Sequence, residues 1–130
     1  MKILLDTHCW LWWVTEPERL KSSVRKQIAD GNNTIFLSAA SSWEIAIKYA
    51  LGKLPLPQPP EEFVPNRLSR DAMTALPIEH LHALRVASLP PHHQDPFDRL
   101  LVAQAQVEGI PLLTVDRQLK PYDITIIWGA

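Results

Sequence analysis

The chain is poor in the residues that mark several protein classes. Among 130 residues there is one cysteine, Cys9, so neither an intrachain disulfide framework nor a cysteine zinc site can form. Four glycines leave no G-x-G-x-x-G and no P-loop, which argues against dinucleotide and P-loop nucleotide binding. No apolar run approaches the roughly 20 residues of a membrane span. The longest, Ile3 to Leu5 and then Cys9 to Val14, is interrupted by Asp6 and His8. A lone Lys2 ahead of that run, with no small-residue cleavage site after it, argues against a secretory signal, and a cytoplasmic protein without membrane association is expected. Basic excess is missing too: 13 Lys and Arg meet 14 Asp and Glu, a net charge of −1. That removes the simplest argument for nucleic-acid binding.

With 46% hydrophobic and 21% charged residues, the chain has enough apolar material for a core, and residues 1–130 are expected to form a single domain. Lys2 to Asp6 (KILLD) is a nearly continuous apolar run ending on an acid, the pattern of a strand buried on both faces. Runs at Thr34 to Leu37, Ala72 to Ile78, Pro111 to Val115 and Ile124 to Trp128 predict four more strands. Glu18 to Asp30 spaces Leu20, Val24 and Ile28 by four and stops at Gly31, and Ser38 to Leu51 puts Trp43, Ile47 and Ala50 on one stripe before Gly52. Both read as amphipathic helices. Leu54 to Pro60 holds four of the 12 prolines and reads as a rigid connector. Helices over Glu61 to Ser69, Glu79 to Ala87 and Phe97 to Glu108, the last closed by Gly109, complete the alternation. It predicts a three-layer α/β/α sandwich with a central, mainly parallel sheet, whose ligands bind at the C-terminal ends of the strands.

The acids fall where that edge would be. Asp6 ends the first strand, Asp116 follows the fourth, Glu44 lies on the helix after the second, and Asp98 opens the helix before the fourth. Each has a structural use of its own. Glu44 sits three after Ser41 and four before Lys48, the spacings of a capping box and of an ion pair. Asp95, Pro96, Phe97 and Asp98 read as N-cap, N1, N2 and N3 of a helix, and Asp116 suits a turn at Arg117 to Leu119. Asp6, directly after three apolar residues, has the fewest such uses. Together the four are costly, because two carboxylates about 4 Å apart repel by roughly 4 kcal/mol at an effective dielectric near 20. They must shed charge by protonation or share a divalent cation, and an oxygen set without cysteine suits Mg²⁺ or Mn²⁺.

Four stretches carry a family likeness: LLDTH at Leu4 to His8, SxWEIxIK across Ser41 to Lys48, DPFDRLLVAQA at Asp95 to Ala105, and LLTVD at Leu112 to Asp116. In that combination, spanning almost the whole chain, the sequence resembles the PIN-domain nucleases and, among them, the VapC-type toxins of bacterial toxin–antitoxin pairs. The resemblance implies a metal-dependent endoribonuclease that hydrolyses RNA phosphodiester bonds, with Mg²⁺ as cofactor and Mn²⁺ able to substitute. It implies that Asp6, Glu44, Asp98 and Asp116 are the catalytic, metal-binding acids. Asp6 and Asp98 would be direct ligands, Glu44 a ligand or a base acting through water, and Asp116 a ligand of a second or water-mediated ion. Asp95 would be an accessory acid. A VapB-like antitoxin that covers the site, and a homodimer or a toxin–antitoxin hetero-oligomer, follow from the same likeness.

Around the acids, Thr7 and Thr114 are placed either to hold carboxylates or waters or simply to fill strands. Arg99 is placed for a substrate phosphate or for a solvated helix surface. The five histidines lack zinc-site spacing and read as exposed or hydrogen-bonding residues, with His93, near the site mouth, also placed to touch RNA. Trp10, Trp12 and Trp13 cannot all enter the core, which leaves packing, base stacking and a partner groove open, the resemblance favouring the groove. The competing reading is a catalytically silent PIN-like module that binds protein or RNA. Setting Asp95 and the four other acids aside leaves 13 basic against nine acidic groups, about +4 outside the pocket, which readmits RNA.

Overall fold

The computed structural model describes residues 1–130. Strands β1 (Lys2–Leu5), β2 (Thr34–Ser38), β3 (Thr74–Leu76), β4 (Leu112–Thr114) and β5 (Ile126–Trp128) form one sheet in the order β3-β2-β1-β4-β5. Every pairing is parallel, so the sheet is wholly rather than mainly so. Parallel neighbours need crossovers, and the helices α1 (Thr7–Thr15), α2 (Ser22–Ala29), α3 (Ala39–Ala50), α4 (Pro60–Arg70), α5 (His80–Arg85) and α6 (Pro96–Glu108) supply all but the last, which runs from β4 to β5 through the 3₁₀ turn Arg117–Leu119. Side chains alternate along a strand. Ile3 and Leu5 therefore enter one core with Trp10, Val24 and Phe63, while Leu4 enters the other with Leu76, Leu101 and Leu112. Helices α1, α2 and α4 cover the first face and α6 the second, which is why Ile3, Leu4 and Leu5 are all apolar and buried, with Lys2 exposed at the start of the strand. No helix is long and apolar enough to cross a membrane.

Several elements depart from the sequence expectation for local reasons. The helix expected over Glu18 to Asp30 is a 3₁₀ turn at Pro17–Arg19 followed by α2. Leu20 is extended between them, and the Lys21 N–H leaves the helix to donate to the Gly129 carbonyl at 2.8 Å. Leu20, Val24 and Ile28 are still buried. Strand β3 starts only at Thr74 because Ala72 is left-handed, with φ 52°. Pro65 lies inside α4 on its exposed face, where the Glu61 carbonyl it cannot satisfy is free to meet water.

The largest departure is α3. The stripe of Trp43, Ile47 and Ala50 faces outward, Trp43 with 58% of its surface exposed, and the buried face is Ala40, Ser41, Glu44 and Ile45. A buried face that carries a serine and a glutamate is one turned toward something polar.

The strand order sets where that polar region lies. From β1 the chain builds outward through β2 and β3, then returns to place β4 and β5 on the other side. The C-terminal ends of β1 and β4 flank the point where the direction reverses, the position at which open α/β sheets bind ligands.

Candidate functional site

Strands β1 and β4 end side by side at that point, and each delivers an acid. Asp6 has extended backbone and caps α1, its Oδ1 accepting the Cys9 N–H at 2.6 Å. This is a structural use that the sequence hides, because the helix begins with no loop after the strand. The second Asp6 oxygen accepts the Thr114 hydroxyl, and Thr114 Oγ1 in turn accepts the Asp116 N–H at 3.0 Å. One hydroxyl thereby couples the two strand-end acids. Asp116 Oδ1 accepts the Gln118 N–H at 2.9 Å and caps the turn Arg117–Leu119, which leaves its Oδ2 for a side-chain partner, His93.

Helix α6 brings the third acid. Asp95 is its N-cap, with Oδ1 accepting from Phe97 N–H at 2.8 Å and Asp98 N–H at 3.2 Å, and Pro96 occupies N1. Asp98 is freed from capping and turns to His93, whose Nε2 lies 3.1 Å from Asp98 Oδ2 and 2.9 Å from Asp116 Oδ2. His93 Nδ1 accepts the Asp95 N–H at 3.2 Å, so in the neutral ring the proton sits on Nε2. That N–H bridges two carboxylates. His93 is therefore engaged with the acids themselves, as a hydrogen-bonding histidine.

The fourth acid comes from the buried face of α3. Ser38 caps this helix, accepting the Ala40 N–H at 3.0 Å, and Ser41 Oγ accepts the Thr7 hydroxyl at 2.8 Å. The capping box open to Ser41 and Glu44 does not form. Glu44 is buried, its Oε2 meeting Lys48 Nζ at 2.7 Å and its Oε1 having no hydrogen-bond partner. A buried carboxylate oxygen with nothing to accept is unfavourable in a dry site; a cation beside it would remove the cost.

Asp6, Glu44, Asp95, Asp98 and Asp116 line one cleft of about 440 Å³, together with Trp12 and the cations Arg19, Lys48 and Lys53. Burial pushes the Asp98 carboxyl up to about 7, with repulsion from Asp95, Asp6 and Glu44 adding to it and His93 opposing. Asp6 is also raised, chiefly by burial, against the hydrogen bonds from Thr114 and Cys9 that favour its charged form. The Cys9 thiol, buried beside Asp6, is pushed far up and stays protonated. His93, Asp98 and Asp116 each offer one ligand atom, all within 4.8 Å of one another.

Other candidates lie elsewhere. The Arg99 guanidinium donates to the carbonyls of Val86, Leu89, Pro90 and His93 and to the Tyr122 hydroxyl. It staples the loop carrying His93 to α6, which corrects the expectation of a phosphate contact. Trp10 is fully buried against Phe63, so it leaves the expected partner groove for the core. Trp13 is tied by Nε1 to Asp71 Oδ2 at 3.0 Å. Trp12 alone of the three reaches the acidic cleft, with Arg19 stacked 5.1 Å over its ring.

Comparison with known proteins matches the PIN domain family model to residues 3–124. The chain is 48% identical to Ribonuclease VapC16 of Mycobacterium tuberculosis over 61 residues, 47% of this chain and 43% of that protein. It thus spans under half the length of that relative. It is 30% identical to Ribonuclease VapC22 of the same organism over 120 residues, covering 92% of this chain and 91% of the other. Among solved structures, VapBC2 from Rickettsia felis, bound to a DNA fragment from its promoter, superposes with a TM-score of 0.74 at 17% identity, over 98% of both chains.

Proposed function

The chain belongs to the PIN-domain family, and on that premise we propose that it is a metal-dependent endoribonuclease toxin acting on RNA in the cytoplasm. The observation that carries this reading is the meeting of Asp6, Glu44, Asp98 and Asp116, from four separate segments of the chain, in one cleft beside the sheet's point of reversal. The relatives named Ribonuclease VapC16 and VapC22 support the activity and its RNA substrate.

The residues fit a divalent cation. Their ligand atoms are carboxylate oxygens, the set that Mg²⁺ and Mn²⁺ prefer, and the unpartnered Glu44 Oε1 and the raised Asp6 and Asp98 carboxyls are what such a site needs when uncompensated. When bound, the cation supplies charge neutralisation and a more acidic water. The chain's own residues do the positioning. Asp6 is clamped by Thr114 and the α1 N-terminus, Asp116 is aimed by Thr114, and Glu44 is held on α3 by Lys48. Arg19 and Lys53, in the same cleft as the acids, are placed to receive a scissile phosphate. Asp95 acts on the site through α6 and His93 rather than as a ligand of its own.

Kinship with VapC ribonucleases extends the proposal to a VapB-like antitoxin and to assembly as a homodimer or toxin–antitoxin complex. Trp43, Ile47 and Leu51, exposed together along α3 and just beyond its end, are the apolar surface such assembly would cover. Incubating the purified protein with a mixed RNA pool tests the activity. Cleavage with Mn²⁺ that stops on adding EDTA is expected; no cleavage and no metal binding would leave a binding module in its place.

A further inference from the structure

A second cleft, of about 590 Å³, opens beyond the acidic one and is lined by Trp12, Trp128, Lys21, Arg117, Lys120, Val115 and Ala130. Trp12 and Val115 also line the acidic cleft, so the two adjoin across these side chains. In a chain with a net charge of −1, three exposed cations gather here and no acidic side chain lines the cleft with them. Two half-buried indoles stand among the cations. The fold holds the wall in place: Trp128 pairs with Thr114 at the β4–β5 edge, Gly129 N–H donates to the Thr114 carbonyl at 2.9 Å, and the Gly129 carbonyl receives Lys21 N–H. A Cβ at Gly129 would lie 3.1 Å from both Cys9 Sγ and Val115 Cγ1, a tight contact that those side chains would have to yield to, so glycine suits the close passage of the tail beside β4.

We propose that this basic, aromatic cleft binds the single-stranded RNA segment flanking the scissile phosphate, with an unpaired base against Trp12 or Trp128 and backbone phosphates on Lys21, Arg117 and Lys120. The proposal rests on the ribonuclease reading of the adjoining acids. Single-stranded nucleic acid is bound by this combination, cations that follow the backbone and aromatic faces that stack any base. An acidic peptide would meet the same cations, but its next residues would run into the carboxylates of the neighbouring cleft. A phosphodiester chain meets cations in the second cleft and, in the first, acids that a divalent ion can bridge to phosphate. A base-paired duplex cannot present its bases to the indoles.

The test is fluorescence anisotropy of a short labelled single-stranded RNA in EDTA, repeated across a salt series, beside cleavage kinetics in Mn²⁺. Trp128→Leu is expected to weaken binding roughly tenfold with the salt dependence unchanged. Lys120→Gln, an exposed site that leaves the core untouched, is expected to lower the slope of log affinity against log salt by about 0.7. In cleavage, both are expected to raise KM more than they lower kcat. Variants that bind and cleave RNA as the parent does would overturn the proposal while leaving the ribonuclease reading intact. Weakened RNA binding by the variants of a protein that never cleaves RNA would support the cleft and remove the ribonuclease reading. Unchanged RNA affinity with loss of inhibition by a co-expressed protein partner would assign the cleft to that partner and overturn the proposal.

Discussion

Asp98 is under opposing demands, to be charged for a cation and to be neutral without one. Folding raises its carboxyl from the ordinary 3.8 to about 7. The stability it contributes is thus present below about pH 4 and is lost as pH rises through 7, because the folded form then surrenders a favoured proton. Asp98→Asn keeps the shape and removes the charge. In EDTA it is expected to melt like the parent at about pH 4 and a few degrees higher at about pH 8, as scanning calorimetry across pH would read. Added Mn²⁺ is expected to raise the parent's Tm and not the variant's. A gap in Tm that does not open with pH would show that Asp98 is not strained by its neighbours. Thr114 is the corresponding test of positioning: Thr114→Val, equal in size, removes the one hydroxyl joining Asp6 to Asp116. It is expected to reduce RNA cleavage by at least tenfold, in the range of lost metal-orienting contacts, with the fold retained by circular dichroism.

At the scale of elements, α6 starts where it does because Asp95 accepts two N–H groups and Pro96 needs none. Asp95→Ala is expected to cost about 1 kcal/mol in urea unfolding, and Asp95→Ser much less. The DPFD stretch made this legible, since cap, proline and acid stand in order along the chain. Helix α3 was not legible in the same way. Its apolar stripe of Trp43, Ile47 and Ala50 promised a core face, yet the polar face with Ser41 and Glu44 is the buried one. Periodicity finds the apolar side of a helix, and here the inward side faces a carboxylate cleft. Trp43 accordingly touches Phe97 edge-on at 5.1 Å with most of its surface in water, and Trp43→Ala is expected to cost under about 1.5 kcal/mol. Trp10→Ala, at a fully buried site, is expected to cost roughly 3–5 kcal/mol. Arg99 was illegible for another reason: four of its acceptors are backbone carbonyls, which no residue pattern announces.

At the scale of the molecule, five parallel strands and one reversal of strand order bring residues 6, 44, 98 and 116 to a single edge. The alternation of elements made that edge foreseeable, and acids at strand ends marked it. The aromatic, basic cleft next to it was not foreseeable, because Lys21, Arg117, Lys120 and Trp128 come from three segments with no shared motif. The central claim is that the carboxylates act through their charge and not merely as helix caps. Asp6→Asn separates the two, because asparagine caps a helix about as well as aspartate while losing the negative charge and, with it, the second oxygen that accepts the Thr114 hydroxyl. RNA cleavage in Mn²⁺ should therefore be measured for parent and Asp6→Asn, both shown to be folded by their thermal melts. Cleavage by the parent and none by the variant is the expected result; a folded Asp6→Asn protein that cleaves RNA at the parental rate would contradict the account.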